Sequence, residues 1–160
     1  MTEPKRTSFE IYHKKEGFYW TNNRIVFFGF TFCFLLFIIK YHVLGLKENS
    51  IFDKVVGFSA LGSFAYGIVM KIIGIVRYKP LRGKLEGLLI LEMDKISIGN
   101  QVYNLDDIRT IKILNYDYYG RAEFERYSFE ANLSRGVDNK FEITLNSGEI
   151  ISCAFFQLFS

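Results

Sequence analysis

The chain has 160 residues, of which 49% are hydrophobic and 18% aromatic, and its net charge is +3. The charge is unevenly divided: residues 1–84 carry 13 Lys and Arg against 5 Asp and Glu, whereas residues 85–160 carry 7 against 12. A basic and strongly apolar first half is typical of a membrane segment. The acidic second half argues against a nucleic-acid platform, because phosphate binding needs positive charge.

Residues 1–24 form a polar, basic segment with lysines and arginines at positions 5, 6, 14, 15 and 24. It ends in the aromatic run Phe18-Tyr19-Trp20. Aromatic side chains of this kind are enriched where a helix enters the bilayer. The segment therefore predicts a cytoplasmic tail that leads into a membrane span.

Two apolar runs, residues 25–46 and 55–76, predict a transmembrane hairpin. Their main charges, Lys40 and Lys71, lie near the span ends, where a long stem can carry the ammonium to the interface. About 20 apolar residues cross a bilayer as a helix, so two such runs argue against buried helices of a soluble protein. Because the 47–54 link is short, we expect an external loop between antiparallel helices.

Small side chains spaced by four predict the faces through which these helices pack. They are Ser59, Ser63 and Gly67 in the second span and Gly29 and Cys33 in the first. Lipid offers no hydrophobic drive for helix association, so close backbone approach favours small residues. The alternative is that the face of the second span forms a homodimer or binds a partner's helix.

Residues 77–84 form a basic juxtamembrane linker with Arg77, Lys79, Arg82 and Lys84. Together with the basic tail, the linker predicts that both termini are cytoplasmic, because positive residues flank spans on the inner side. The same four side chains are candidates for contact with membrane lipid, through anionic headgroups.

Residues 85–160 predict about six or seven short antiparallel strands, in runs that alternate or are rich in β-branched residues. These runs are residues 88–91, 96–98, 108–114, 127–133, 141–145 and 149–156. The expected fold class is an α+β membrane protein: a two-helix transmembrane hairpin followed by a small antiparallel β barrel or sandwich.

Several motifs in this half resemble bacterial PH-like domains that follow two transmembrane helices. They are Gly87-Leu-Leu-Ile, Lys95-Ile-Ser-Ile, Tyr103-Asn-Leu-Asp-Asp-Ile and Gly136-Val-Asp-Asn before a Phe-Glu-Ile-Thr strand. The resemblance covers most of residues 55–156 and implies a PH-like barrel at a bacterial inner membrane. Such folds close with a C-terminal helix, for which this chain leaves no room, so one end of the barrel is expected to be open or to be covered by a partner or by the membrane. The first hairpin loop has only Asp94 and Lys95, so phosphoinositide binding is not expected.

The sequence contains no recognisable catalytic or metal-binding constellation. His13 and His42 lack a nearby Cys, Asp or Glu partner, and Cys33 and Cys153 have no zinc spacing. Nucleotide-binding and protease motifs are also absent. We therefore expect no enzymatic activity, no cofactor and no small-molecule substrate.

An aromatic and basic stretch is the candidate partner surface; its members are Tyr116, Tyr118, Tyr119, Arg121, Phe124 and Arg126. Tyr and Arg are enriched among residues that dominate binding energy. The competing interpretation is an ordinary hairpin whose rings cover the barrel.

These features favour a non-enzymatic, membrane-anchored interaction module that binds a protein partner or a second copy through its cytoplasmic β domain. The alternative is an accessory subunit or an immunity-type protein that works through its transmembrane hairpin. An enzyme with an unfamiliar site is a third hypothesis.

Overall fold

A computed structural model describes residues 6–44 and 51–159. These residues form an α+β protein that divides into two compact units. The sheet unit contains the residues up to Gly17, Tyr78–Glu123 and the residues from Leu133 onward. The hairpin unit contains Phe18–Arg77 and Phe124–Asn132.

The hairpin unit is built on two helices, α1 at Asn22–Ile38 and α2 at Ile51–Gly74. The Thr21 hydroxyl caps the start of α1 by accepting a hydrogen bond from the backbone N–H of Arg24 at 3.2 Å. A π-helix, Ile39–Leu44, continues directly from α1. The first four residues of the predicted external loop, 47–50, lie outside the described residues. Its last four residues, 51–54, form the first turn of α2.

Among the described helices, α2 alone is long and apolar enough to cross a membrane, and α1 is apolar but shorter. The sequence predicted two such spans. Only 6% of the apolar window of α2 is buried inside the protein. A core helix of a soluble protein would be mostly buried, so this exposure favours an apolar environment around α2.

The described residues of the sheet unit form nine strands. In chain order they are β1 Thr7–Lys14, β2 Gly83–Leu91, β3 Lys95–Ile98, β4 Gln101–Asn104, β5 Ile108–Leu114, β6 Tyr119–Ala122, β7 Leu133–Arg135, β8 Asn139–Leu145 and β9 Ile150–Phe155. Seven of them form one antiparallel sheet in the order β4-β3-β2-β1-β9-β8-β5. β6 and β7 form a separate pair.

The large sheet must curl, because its two edge strands are consecutive in the chain. A three-residue helical turn, Leu105–Asp107, joins β4 to β5. Seven flat strands would hold these edges about 29 Å apart, whereas the connection spans at most about 15 Å. The curled sheet encloses a core of Ile11, Leu89, Ile96, Phe141, Ile143 and Phe155.

β1 lies within the segment that the sequence predicted as a basic tail. It pairs with both β2 and β9 in the middle of the sheet, and Ile11 is 3% exposed. Phe9 and Ile11 alternate with Ser8 and Glu10, which is the period of a half-buried strand. The basic residues around this short run obscured the pattern.

The predicted strand at residues 127–133 is wrong. Only Leu133–Arg135 is extended and paired there, as β7. Phe124–Asn132 is irregular and belongs to the hairpin unit. The backbone of this segment is bonded by polar side chains rather than by a neighbouring strand.

Candidate functional site

The described part of the chain contains no group of three or more His, Cys, Asp or Glu that could hold a metal ion. Burial raises the pKa of the Cys153 thiol to about 11, so this cysteine stays neutral and packs as an apolar side chain.

The helices of the hairpin unit run antiparallel, as three contacts show. The Tyr66 hydroxyl donates to Asn22 Oδ1 at 3.1 Å, near the start of α1. Ser63 lies against Gly29, where an added Cβ would be 3.1 Å from Ser63 Cβ and would overlap its hydroxyl. Lys40 and Asp53 form an ion pair at the other end.

The five small residues predicted to pack the helices have different surroundings. Gly29 and Ser63 face each other, and Cys33 is buried. The Ser63 hydroxyl donates to the Ser59 carbonyl at 2.9 Å, within its own helix. Gly67 instead lies against the ring of Phe129, where an added Cβ would be 3.1 Å away. The predicted face of α2 therefore contacts both α1 and Phe129.

A disulfide can test the contact between the helices. In a protein lacking Cys33 and Cys153, the pair Gly29→Cys and Ser63→Cys is expected to oxidise within one chain, because the two positions are close enough for a disulfide. Non-reducing gel electrophoresis of the purified protein measures the product. A covalent dimer as the main product would contradict intramolecular packing and favour a homodimer.

The Lys40–Asp53 ion pair differs from the expected position of Lys40 at the interface. Lys40 lies in the π-helix, is 2% exposed and pairs with the carboxylate of Asp53 on α2. An ammonium in apolar surroundings is stabilised by an opposite charge. The side chain therefore turns toward the partner helix.

Phe124–Asn132, here called the docked segment, is held on the hairpin by Lys71. The Lys71 ammonium donates to the carbonyls of Glu125 and Ser128 at 2.7 and 2.6 Å, and to that of Arg126 at 3.4 Å. Lysine has three N–H donors, so this geometry uses them on one short stretch of backbone. Lys71 thus has a role that the sequence did not indicate.

Two asparagines at the start of α1 hold the next part of the docked segment. Asn22 donates to the Phe129 carbonyl at 2.9 Å, and Asn23 Oδ1 accepts from the Phe129 N–H at 2.7 Å. Asn23 also donates to the Ser128 hydroxyl at 3.2 Å, while its backbone N–H donates to the Glu130 carboxylate at 3.0 Å. Both backbone groups of Phe129 are satisfied by helix side chains.

Glycines on α2 allow the docked segment to approach closely. A Cβ at Gly74 would lie 2.7 Å from the Glu130 carbonyl oxygen. The Gly74 carbonyl accepts a hydrogen bond from the Asn132 N–H at 2.9 Å. Gly67 and Gly74 are seven residues apart and share a helix face, so together they form the surface under the segment.

Replacing Gly74 by alanine is expected to lower the free energy of unfolding by about 1–3 kcal/mol, because the new methyl group must displace the Glu130 backbone. Gly62→Ala in the same helix is the matched control, since nothing lies within 4 Å of an added Cβ there. Thermal unfolding of both purified variants in detergent measures the difference. Equal stability of the two variants would contradict the close approach at Gly74.

The predicted partner surface is divided between the two units. In the sheet unit, Tyr116 is 60% exposed, Tyr118 is half-buried, and Tyr119 stacks on Tyr78 with ring centroids 4.7 Å apart. Arg121 donates to the Tyr116 carbonyl and lies 3.8 Å from the Glu123 carboxylate. The other two members, Phe124 and Arg126, belong to the docked segment. The stretch is therefore not one continuous surface of the sheet unit.

Lys79 and Lys84 of the basic linker pair with carboxylates. Lys79 contacts Glu123 at 2.5 Å, and Lys84 pairs with Glu86. The hydrogen bond and charge of Lys84 hold the pKa of Glu86 below its usual value. Arg82 belongs to the sheet unit and is half-buried, whereas Arg77 belongs to the hairpin unit and is exposed. Pairing of Lys79 and Lys84 reduces the positive charge available to lipid headgroups.

A buried polar network joins the region before β6 to the start of β8. Asp117, Ser134 and Asn139 are each 1% exposed. The Ser134 hydroxyl and the Asp138 N–H donate to Asp117 Oδ2 at 2.7 and 3.0 Å. Asn139 accepts from the Asp117 N–H and donates to the Asp117 carbonyl, at 2.9 and 2.8 Å. Sequence reasoning missed this network, because its members are far apart in the chain.

The edge strand β5 exposes the inner, apolar face of the sheet. Its partner residues Phe141 and Ile143 on β8 are at most 1% exposed, whereas Ile113 and Ile111 opposite them are 50% and 42% exposed. An open groove of about 450 Å³ lies along the end of this strand, lined by Lys112, Ile113, Leu114, Lys140 and Glu142. An edge strand also presents unpaired backbone N–H and C=O groups to a binding partner.

Comparison with known proteins finds no matching family model, curated protein or solved structure.

Proposed function

We propose that this chain is a non-enzymatic, membrane-anchored protein-interaction module. The observation that carries the proposal is the apolar exterior of the hairpin unit. Large side chains on both helices are more than half exposed, among them Phe27, Phe34, Phe58, Leu61, Phe64 and Ile72. A continuous apolar surface of this kind is unfavourable in water and is stable when surrounded by lipid.

Both helical segments cross the bilayer in this proposal. α1 and the π-helix together form a continuous helical path from Asn22 to Leu44, and α2 has 24 residues. At 1.5 Å per residue α1 alone rises about 26 Å, and the π-helix extends it across a hydrocarbon layer of about 30 Å. The basic tail and linker then place both termini in the cytoplasm of a bacterial inner membrane.

The curled sheet supports the PH-like part of the proposal. β2 and β3 form a hairpin, β4 follows, and a short turn ending at Ile108 leads into β5. The motifs that carry the resemblance lie in these elements: residues 87–90 in β2, residues 95–98 in β3, and residues 103–108 from β4 to the start of β5. The sheet unit is the cytoplasmic binding module, and β5 is its binding edge.

The partner that best fits β5 is an extended, acidic segment of another protein. Arg109 and Lys112 lie on the strand and Lys140 lies beside it, and Lys112 and Lys140 share the carboxylate of Glu142. A strand added to this edge gains backbone hydrogen bonds, and the half-exposed isoleucines accept its apolar side chains. Antiparallel self-pairing of two copies would bring the basic residues of both strands together, which is unfavourable.

Photo-crosslinking in cells tests this binding edge. A photoreactive amino acid at Ile113 is expected to give a heterologous adduct, whereas the same group at Val102 on the opposite edge strand gives none. Charge reversal by Arg109→Glu and Lys112→Glu is expected to abolish the adduct. Lys95→Glu, a basic position on β3, is the control and should leave the adduct intact. An adduct of twice the chain mass, or one that survives charge reversal, would contradict the proposal.

The accessory-subunit or immunity-type role is supported by the Lys40–Asp53 pair, since ionisable residues inside a span mark functional sites. In that case the partner binds the hairpin. A photoreactive group at Phe58 would then capture the partner, and substitutions on β5 would not affect the adduct. Deleting residues 85–160 cannot separate the two roles, because it also removes the docked segment from the hairpin unit.

A further inference from the structure

We propose that the docked segment is a third membrane-contacting element, and that Phe124 and Tyr127 contact lipid in the headgroup region. The proposal rests on the membrane insertion of the hairpin. It reassigns Phe124 and Arg126 from a protein-binding surface to a lipid-binding one.

The backbone hydrogen bonds of the segment provide the first argument. Irregular backbone survives at membrane depth only where protein groups satisfy its N–H and C=O groups. Lys71 binds the carbonyls of Glu125, Arg126 and Ser128, and the two asparagines bind both backbone groups of Phe129. A loop surrounded by water would not need three helix side chains for this purpose, because water would satisfy the same groups.

The depth of the contacts provides the second argument. The segment lies against α2 from Gly67 to Gly74, a length of about 10 Å at 1.5 Å per residue. The polar interfacial layer of one leaflet is about 5–8 Å thick. A segment attached over this length lies in the interface, and Phe129, at Gly67, reaches the edge of the hydrocarbon layer.

The exposed aromatic side chains provide the third argument. Phe124 is 71% exposed and Tyr127 is 89% exposed, on a segment otherwise fixed to the helices. Phe18 and Trp20, 65% and 67% exposed, precede the same end of α1 and contact each other edge to face at 5.5 Å. Aromatic rings at this level of a span are typical of the lipid interface.

Lipid fits these side chains better than a protein partner does. A specific protein interface covers about 800 Å² on each partner and 20–30 residues. The docked segment has nine residues, and its fixed inner face is already occupied by the helices. Single exposed rings beside the basic Arg126 suit the apolar and anionic parts of an interfacial lipid layer.

Fluorescence quenching tests the inference in the full-length protein. Trp20 is the single tryptophan, so Trp20→Phe gives a silent background. Tyr127→Trp in this background is reconstituted into phosphatidylcholine nanodiscs that contain lipid brominated near the headgroup or near the chain end. We expect at least a twofold loss of emission with lipid brominated near the headgroup, and a smaller loss with the deeper bromine.

Phe30→Trp in the same background is the hydrocarbon control, because this side chain lies within α1 and is 43% exposed. Quenching at position 30 without quenching at position 127 would overturn the inference and leave the membrane anchor intact. If neither position were quenched, the membrane anchor itself would be overturned.

The Lys71→Met variant tests whether Lys71 holds the docked segment on the hairpin. This variant should reduce quenching at position 127 while leaving position 30 unchanged, because the carbonyls of Glu125 and Ser128 lose their donor. Unchanged quenching at both positions would overturn the role assigned to Lys71.

Discussion

Replacing Asp53 by alanine is expected to lower the free energy of unfolding of the hairpin unit by about 3–5 kcal/mol. Lys40 is 2% exposed and faces the Asp53 carboxylate across the helix pair. Removing the carboxylate leaves a buried ammonium without the opposite charge of Asp53, and the packed helices cannot solvate it as water does. Unfolding of the purified protein in mixed detergent micelles with increasing sodium dodecyl sulfate measures the change.

The double variant Lys40→Met with Asp53→Leu separates charge from packing. Replacing both charges by apolar side chains is expected to recover most of the lost stability, because no buried charge remains. Lys54→Ala, at the adjacent position on α2, is the control and should have an effect below about 0.5 kcal/mol. A double variant as unstable as Asp53→Ala would show that the ion pair is not the source of the stability.

Replacing Asn139 by alanine is expected to destabilise the sheet unit by about 2–5 kcal/mol, since two buried backbone groups lose their partner. Asn139 binds both the N–H and the C=O of Asp117, and both residues are 1% exposed. Water cannot replace these bonds without entering the core. Increased amide hydrogen exchange at Asp117 and Tyr119, together with a lower melting temperature, would record the loss.

Asn146→Ala is the matched control for this network. Asn146 also makes one side-chain hydrogen bond to a backbone carbonyl, that of Asp106 at 2.8 Å, but it lies in an exposed turn. Solvent can replace that bond, so the effect should be at most about 1 kcal/mol. Equal losses for the two asparagines would contradict the role of burial.

Local patterns in the sequence identify most of the strands in the sheet unit. β3, β5, β8 and β9 coincide closely with the predicted runs, because each has enough apolar or β-branched residues to be recognised alone. β1 was missed because basic residues surround its short alternation. The position of β1 between β2 and β9 depends on pairing with residues at least 69 positions away, which a local pattern cannot encode.

The docked segment shows why the site was harder to predict. Tyr127, Phe129 and Ala131 alternate with polar residues as a strand would, yet no strand pairs with them. The neighbours of the segment are Asn22, Asn23 and Lys71, 54–107 positions away in the sequence, and each is an ordinary polar residue near a helix end. Gly67 was predicted to pack against the first helix, but its position opposite Phe129 depends on the tertiary contact. The spacing of small residues indicates a close approach without identifying the neighbour.

Labelling of single cysteines in intact cells tests the central claim, a hairpin that spans the membrane twice, most directly. In a protein lacking Cys33 and Cys153, cysteine replaces Ser8, Ile51 or Ser147, three exposed positions on β1, at the start of α2 and in the turn before β9. A membrane-impermeant maleimide is expected to label position 51 in intact cells, and positions 8 and 147 only after permeabilisation. Labelling of positions 8 and 51 from the same side would show that α1 does not cross the membrane and would contradict the account.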